Sequence, residues 1–300
     1  MASISVSDFG GTNTRVSRGT LIELFPESFE GAPVAELLSF LRRIVPAKTE
    51  VAVLVFPAPM LQSPSGRILS PLSTKFRALA GSIPALESEW SRIFNCRVVI
   101  RQDGEMASYG AITAGDVTSD ENAFVTMLGT SASGGFVVRG QPLIGDYTSQ
   151  FSHVVLDPNG PQCPGKGHAG CVKSFLAAYA LENLATEMGL PRQLEEVTKL
   201  AKQGNERAQF FYRSVADTLA RALSQVVNVV PLGAIVLGGG IASGAGDLLL
   251  RPLREAFKRG DFVDANVAAR IDLRLTKSEN LVIDGGRYLA EQILSQHTRL

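Results

Sequence analysis

The sequence has no surplus of charge of either sign. Its 29 Lys and Arg are matched by 29 Asp and Glu, so the formal net charge is zero. No basic excess is available to grip nucleic acid or an anionic membrane; only a local patch could do so. Cysteine is scarce: three in 300 residues do not make a disulfide framework, so clustering among them points to metal instead. A long apolar run is also missing. The most apolar late stretch, 226–242, is broken by Pro231 and Gly238-Gly239-Gly240 and carries Asn228. It falls short of the roughly 20 clean apolar residues that a spanning helix needs. The opening Met-Ala-Ser-Ile-Ser-Val-Ser-Asp has neither the basic region nor the apolar core of a signal peptide. A cytoplasmic protein with no membrane or nucleic-acid partner is therefore expected. What remains, 45% hydrophobic and 19% charged residues, is a globular composition long enough for two lobes of ordinary domain size.

Periodicity supplies a coarse order of elements. A β-type run at 4–6 ends in Asp8-Phe9-Gly10-Gly11-Thr12-Asn13, and Thr14-Arg15-Val16 reads as the return strand of a hairpin. Residues 34–45 have helical spacing, with Leu37, Leu38, Phe40, Leu41 and Ile44 on one side. Residues 51–56 are wholly apolar, the pattern of a buried strand. A polar hairpin with Ser65-Gly66 as its turn signal follows, then a predicted helix at 85–93 and a buried strand at 96–100, which holds Cys96 as a core residue. The opening pattern then recurs: a strand at 123–128, the turn Gly129-Thr130-Ser131 and a return strand at 134–138. Two such hairpins, one near the start of each half, argue for two related lobes. Helices are predicted at 173–189 and 205–229, a strand at 234–237 running into Gly238-Gly239-Gly240, another strand near 271–275 and a final helix from Asp284.

Three constellations carry chemistry. In the first turn, Gly10 and Gly11 let backbone N–H groups approach phosphate oxygens, and Thr12 and Asn13 add side-chain donors. Asp8 at the strand end could hold Mg²⁺ through water. An ordinary hairpin turn would use the same glycines. Gly129, Thr130 and Ser131 repeat the chemistry in the second half, and Gly238, Gly239 and Gly240 after a buried strand suit close approach of a nucleotide. No Gly-Lys-Ser/Thr follows, so this is not a Walker loop, and no nicotinamide fingerprint is present. Asp103, just past a strand end, could accept the proton of an attacking hydroxyl, or be a solvated turn residue beside Gly104. Finally, His153, Cys163, His168 and Cys171 fall within one Gly/Pro-rich segment that holds two of the three cysteines and two of the three histidines. In a reducing compartment, such a cluster reads as a structural Zn²⁺ site with four ligands, the alternative being free thiols in a loop.

Taken in order, these motifs resemble the ROK family (repressors, open reading frames and kinases) among the actin-like sugar kinases. Asp8-Phe-Gly-Gly-Thr12 is similar to its first phosphate loop, and Gln102-Asp-Gly-Glu-Met-Ala-Ser-Tyr-Gly110 to its Asn-Asp-Ala-Asn segment. Leu128-Gly-Thr-Ser-Ala-Ser-Gly-Gly135 is similar to its second phosphate loop, 153–171 to its zinc signature and 236–247 to its adenosine segment. The resemblance implies an α/β fold of two ribonuclease H-like (actin-like ATPase) lobes with an interlobe cleft, here 1–112 plus 288–300 and 113–287. It implies Asp103 as general base in an ATP- and Mg²⁺-dependent transfer to a hydroxyl of a small sugar-like substrate, and it leaves a homodimer open.

The departures from the family pattern concern the acceptor. Where the family's kinases carry Glu-x-Gly-His, this chain has Gln150-Phe151-Ser152-His153, and where Gly-Cys-Leu-Glu is usual it has Gly170-Cys171-Val172-Lys173. Both family glutamates bind hexose hydroxyls, so the resemblance puts Gln150, His153 and Lys173, with Gln102 and Asp103, at the substrate. Exchanging a carboxylate for Lys replaces acceptors by donors, which makes glucose a poor expectation and a carboxylate- or phosphate-bearing substrate, or an unusual sugar or cyclitol, a better one; Lys173 pointing to solvent is the alternative. The middle cysteine of the family's zinc run is missing, and His168 is expected in its place, against a three-ligand or metal-free loop. The family's Asn before the catalytic Asp is Gln102, and its Ser-Pro-Asn is Ser70-Pro71-Leu72. A sugar- or nucleotide-binding protein without turnover is the second expectation. With seven residues before Asp8, no helix-turn-helix of a repressor is expected ahead of it.

Overall fold

A computed structural model describes residues 3–29, 31–64, 66–70, 76–145, 150–259 and 265–297. Ser65 of the predicted Ser65-Gly66 turn, and Pro71 and Leu72 of the Ser-Pro-Leu segment, lie outside them. In the first half, β1 (Ile4–Phe9), β2 (Thr14–Arg18) and β3 (Leu21–Phe25) form an antiparallel meander. Helix α1 (Val34–Ile44) leads to β4 (Val51–Phe56), parallel to β1. A small antiparallel sheet follows, β5 (Met60–Ser63), β6 (Gly66–Leu69) and β7 (Gly81–Ser82). Next come α2 (Ile83–Phe94), β8 (Arg97–Gln102) parallel to β4, and α3 (Asp103–Thr113). The second half opens with β9 (Ala123–Leu128), β10 (Ala132–Val138) and β11 (Gln141–Pro142), another antiparallel meander. Helices α4 (Val172–Leu176), α5 (Ala178–Glu187), α6 (Leu194–Lys202) and α7 (Glu206–Val227) precede β12 (Ala234–Gly238), parallel to β9. Then come α8 (Gly240–Ala245), α9 (Asp247–Arg259), α10 (Ala265–Ala268), β13 (Asp272–Leu275) parallel to β12, and α11 (Leu281–His297).

The two five-stranded sheets have the same order, β3-β2-β1-β4-β8 and β11-β10-β9-β12-β13. Each is a meander joined to two parallel strands, so the recurring hairpins do mark two ribonuclease H-like lobes. Because side chains alternate between two buried faces, β4 is continuously apolar and β9 and β12 nearly so. From β4, Val51, Val53 and Val55 enter a core shared with α3 and α11, while Ala52, Leu54 and Phe56 enter a core under α1 and α2. β9 and β12 do the same: Ala123, Val125, Ala234 and Val236 face the shared core, and Phe124, Leu128, Ile235 and Leu237 the core under α7 and α9. The layers run helices, sheet, α3 with α11, sheet, helices. Each fully buried aliphatic or aromatic side chain is worth about 1.5–3 kcal/mol, and the shared core takes them from both sheets.

Between the sheets, α3 and α11 touch backbone to backbone. A Cβ at Gly285 would lie 1.8 Å from the Met106 carbonyl oxygen, and one at Gly110 would lie 2.0 Å from that of Leu281. Only glycine admits such an approach.

Several boundaries move. The helix expected at 173–189 is two, because Ala177 is extended (φ −71°, ψ 154°) and the Ala178 N–H turns to donate to the Gly129 carbonyl at 2.9 Å. Asp103, expected just past a strand end with a solvated turn residue as the alternative, opens α3, where it and Glu105 suit the positive end of the helix dipole. That helix hides from periodicity because it is buried nearly all round. The last helix starts at Leu281 rather than Asp284, Gly240 opens a helix instead of closing a turn, and Cys96 lies just before β8, partly buried against the core under α1 and α2. No helix among the described residues is long and apolar enough to cross a membrane.

Candidate active site

The ends of β1, β8, β9 and β12 open into one cavity of about 470 Å³. The four-residue turn between Phe9 and Thr14, which pair across the first hairpin, brings Gly10, Gly11, Thr12 and Asn13 to its wall. The three-residue turn between Leu128 and Ala132 brings Gly129, Thr130 and Ser131 to it from the other lobe. The two turns meet: Thr12 Oγ1 and Thr130 Oγ1 are 3.2 Å apart. Gly239, at φ +85° and stacked on the Leu128 backbone, redirects the chain from β12 into α8, and with Gly240 lines the far end of the cavity. Gly238 does not line it; that residue backs onto Leu281.

Asp8 and Asp103 share the cavity. Burial raises the Asp8 pKa to about 7, the Asp103 charge adding to that and Arg15 opposing it from 3.7 Å. Asp103 is raised to about 6, again chiefly by burial, with bonds from the Gly104 N–H (2.8 Å) and from Ser133 holding the shift in check. A carboxylate of pKa about 6 is ionised at neutral pH yet far more basic than an exposed one. Neighbouring Gln102 is 1% exposed, lines the cavity, and its Oε1 has no hydrogen-bond partner among the described residues. A buried acceptor of this kind is expensive unless a donor arrives. A substrate hydroxyl is such a donor.

Gln150, His153 and Lys173 line the same cavity, so all five residues that the resemblance puts at the substrate are brought together. His153 belongs also to the Cys/His cluster: one ligand atom from each of His153, Cys163, His168 and Cys171 lies within 4.8 Å of the others. Cys163 Sγ and His153 Nδ1 are 3.7 Å apart. The His153 and His168 rings meet edge to face, and His168 Nε2 is buried with no hydrogen-bond partner among the described residues. Two thiols, two imidazoles and an orphaned ring nitrogen at this spacing fit a tetrahedral Zn²⁺. The loop closes on itself through the Cys163 N–H to His168 carbonyl bond (3.0 Å) and the bridge between Val155 and Cys171.

Arg15, Ser133 and Lys166 also belong to the site. Arg15 and Ser133 lie on return strands, where alternation points them at the cleft; Ser133 falls inside the 128–135 segment, but nothing in that segment singles it out, and no motif marks Arg15. Lys166 sits inside the Cys/His segment, where the cysteines and histidines dominate the pattern. Burial, then Lys166, His168 and Lys173, lower the His153 pKa to about 4, which keeps its imidazole neutral and able to bind a metal.

Residues 34–280 match the model of the ROK family. The chain is 28% identical over 187 residues to the glucokinase of Thermotoga maritima, covering 57% of this chain and 58% of that one. It is 29% identical over 164 residues to the N-acetylmannosamine kinase of Escherichia coli strain SE11, covering 53% and 55%. The matches thus span a little over half the length of these curated relatives. Among solved structures, a ROK family glucokinase from Streptomyces griseus in complex with glucose and AMPPNP superposes with a TM-score of 0.77 at 18% identity, covering 97% of this chain and 100% of that one.

Proposed function

The chain belongs to the ROK family, and from that premise we propose that it is an ATP-dependent kinase acting on a hydroxyl of a sugar or sugar-like small molecule, with Asp103 as general base. The observation that carries the reading is the shared cavity: an Asp of pKa about 6 stands in one cleft with two glycine-threonine turns that touch each other. Asp103 accepts the proton of the acceptor hydroxyl. The hydroxyl oxygen bonds to the terminal phosphorus of ATP, the bridging P–O bond breaks, and ADP leaves with that electron pair. Donors of the turns at Gly10–Asn13 and Gly129–Ser131 bind the phosphate oxygens, and the buried Gln102 Oε1 takes a hydrogen bond from the acceptor and orients it.

Two metals belong to this reading. Asp8, buried beside another carboxylate, fits a hydrated Mg²⁺, which supplies charge neutralisation to the phosphates. His153, Cys163, His168 and Cys171 would hold Zn²⁺ as a structural ion that fixes the substrate-side loop. We also draw the lobe boundary at the start of α11, which runs unbroken through residues 287 and 288 and packs on β1 and β4.

Gln150 and Lys173 offer few acceptors to hexose hydroxyls, and unpaired polar groups cost a site heavily in selectivity, up to about 10⁴-fold; glucose is accordingly a poor substrate here. The test is ADP release with Mg²⁺-ATP against neutral hexoses, amino sugars, acidic sugars and cyclitols. Acceptor-dependent ADP release from any of them supports the kinase. Silence throughout, with nucleotide binding intact, would favour a binding protein.

A further inference from the structure

Strand β4 pairs in parallel with β8 so that Phe56 stands opposite Gln102. Pro57 and Asp103, the next residues of each strand, therefore leave neighbouring strand ends. Pro57, Pro59, Gln102 and Asp103 all line the cavity. The Pro57–Pro59 turn runs straight into β5, and the Ser70 N–H, just past β6, donates back to the Pro59 carbonyl at 2.9 Å. The small sheet thus carries the stretch of wall that adjoins the proposed base.

Two kinds of contact hold that sheet. Met60 of β5 and Leu69 of β6, which pair across the hairpin, enter the core under α1 and α2. Apolar burial of this kind is non-directional, so it does not set the angle at which the sheet meets α3. Arg67 of β6 supplies the direction. Its guanidinium meets both carboxylate oxygens of Glu105, Nη1 to Oε2 at 3.1 Å and Nη2 to Oε1. The two side chains are 14% and 1% exposed. A two-pronged pair fixes orientation as well as distance. Its Glu105 end is the firmer one, because the backbone on both sides of Glu105 is closely covered. A Cβ at Gly135 would lie 2.2 Å from the Gly104 carbonyl oxygen, and one at Gly285 would lie 1.8 Å from that of Met106. The pair therefore sets the sheet against α3, not the reverse.

Resting on the kinase reading above, we propose that Arg67 is a positioning residue for the acceptor: through Glu105 it fixes the Pro57–Pro59 wall relative to Gln102 and Asp103, so that a hydroxyl held there meets the base in line with the phosphate. Arg67 itself touches no substrate. Its effect is large because phosphoryl transfer is catalysed almost wholly by positioning and charge, and a misplacement of about 1 Å costs about 100-fold.

The experiment follows ADP release from Mg²⁺-ATP with glucose, N-acetylmannosamine, glucuronate and myo-inositol, and takes forward the acceptor that the wild type turns over fastest. Arg67→Leu alone strands a buried carboxylate, so the informative variants are Arg67→Leu with Glu105→Leu, an apolar pair in the same space, and Arg67→Lys, which keeps the charge without the fork. The double variant should fold with a denaturant midpoint near that of the wild type, yet show a kcat/KM for the acceptor about 10- to 100-fold lower, with the KM for ATP changed by less than about twofold. Arg67→Lys should show the same split at smaller amplitude. Wild-type acceptor kinetics in either folded variant would make the pair purely structural, overturning this inference and leaving the kinase standing. Parallel rises in KM for ATP and for the acceptor would mean a general loosening of the cleft and would overturn it as well. Absence of ADP release from the wild type with all four acceptors would remove the kinase reading and this inference with it.

Discussion

Burial raises Asp103 from 3.8 to a pKa of about 6, and the sign of that shift sets stability against activity. The folded state binds this proton more tightly than the unfolded chain. The ionised carboxylate therefore costs stability above pH 6, and that cost disappears as pH falls towards 4. A shift of about two units corresponds to at most about 3 kcal/mol, less where cleft water screens the group. Asp103→Asn should thus melt higher than the wild type at pH 8, with the gap closing towards pH 4, while losing at least about 100-fold in turnover. Near-normal turnover in that variant would take Asp103 out of the chemistry. The acid limb of wild-type kcat/KM should fall below a pKa near 6. At the Cys/His cluster, protein purified without chelator should contain one zinc per chain by elemental analysis, and His168→Ala should contain well under one; equal content would remove His168 from the proposed ligand set. That Asp103, the two glycine turns and the Cys/His set gather where they do is legible in the sequence because each is a short motif with its own chemistry. Arg15 and Ser133 are not, since what makes them part of the site is the face of a strand on which they fall.

Elements enter the site through their ends, and α3 is the clearest case. Two residues after Asp103, Glu105 is 2% exposed and meets Arg67 of β6 in a two-pronged ion pair, one prong at 3.1 Å. The small sheet is thereby tied to the helix that begins with the proposed base. Removing one partner of a buried pair leaves an uncompensated charge, at about 3–5 kcal/mol, whereas replacing both with apolar groups is close to neutral. Arg67→Leu should lower the denaturant midpoint accordingly, and Arg67→Leu with Glu105→Leu should recover most of it. Equal losses in the single and double variants would mean that the pair contributes packing rather than charge. Neither partner announces itself in the sequence, where Arg67 follows a turn signal and Glu105 is one unremarked residue of the 102–110 segment. The strand at 51–56 was legible to the residue because burial on both faces leaves an unbroken apolar run, and the one at 123–128 because only Thr126 interrupts such a run. The break at Ala177 was not, because its cause is a hydrogen bond to Gly129 from across the fold.

For the whole molecule, the repeated glycine hairpin was enough to read two lobes, but not the layer between them. Nothing local says that α3 and α11 pack in the middle, since Gly110 and Gly285 become contacts only after both lobes have formed. Gly285→Ala would set a methyl group 1.8 Å from the Met106 carbonyl oxygen. Such overpacking against backbone should destabilise by about 1–3 kcal/mol or more, read as a lower midpoint in denaturant; an unchanged midpoint would show that the crossing has slack. The same bare contact has a mechanical consequence. Interdigitated side chains must climb over one another when helices turn, whereas two glycine surfaces behave as a plain bearing. At the glycines a turn of one helix on the other would meet no rotamer barrier, and the resistance would come from the Tyr109 and Tyr288 rings, 5.8 Å apart between the same two helices.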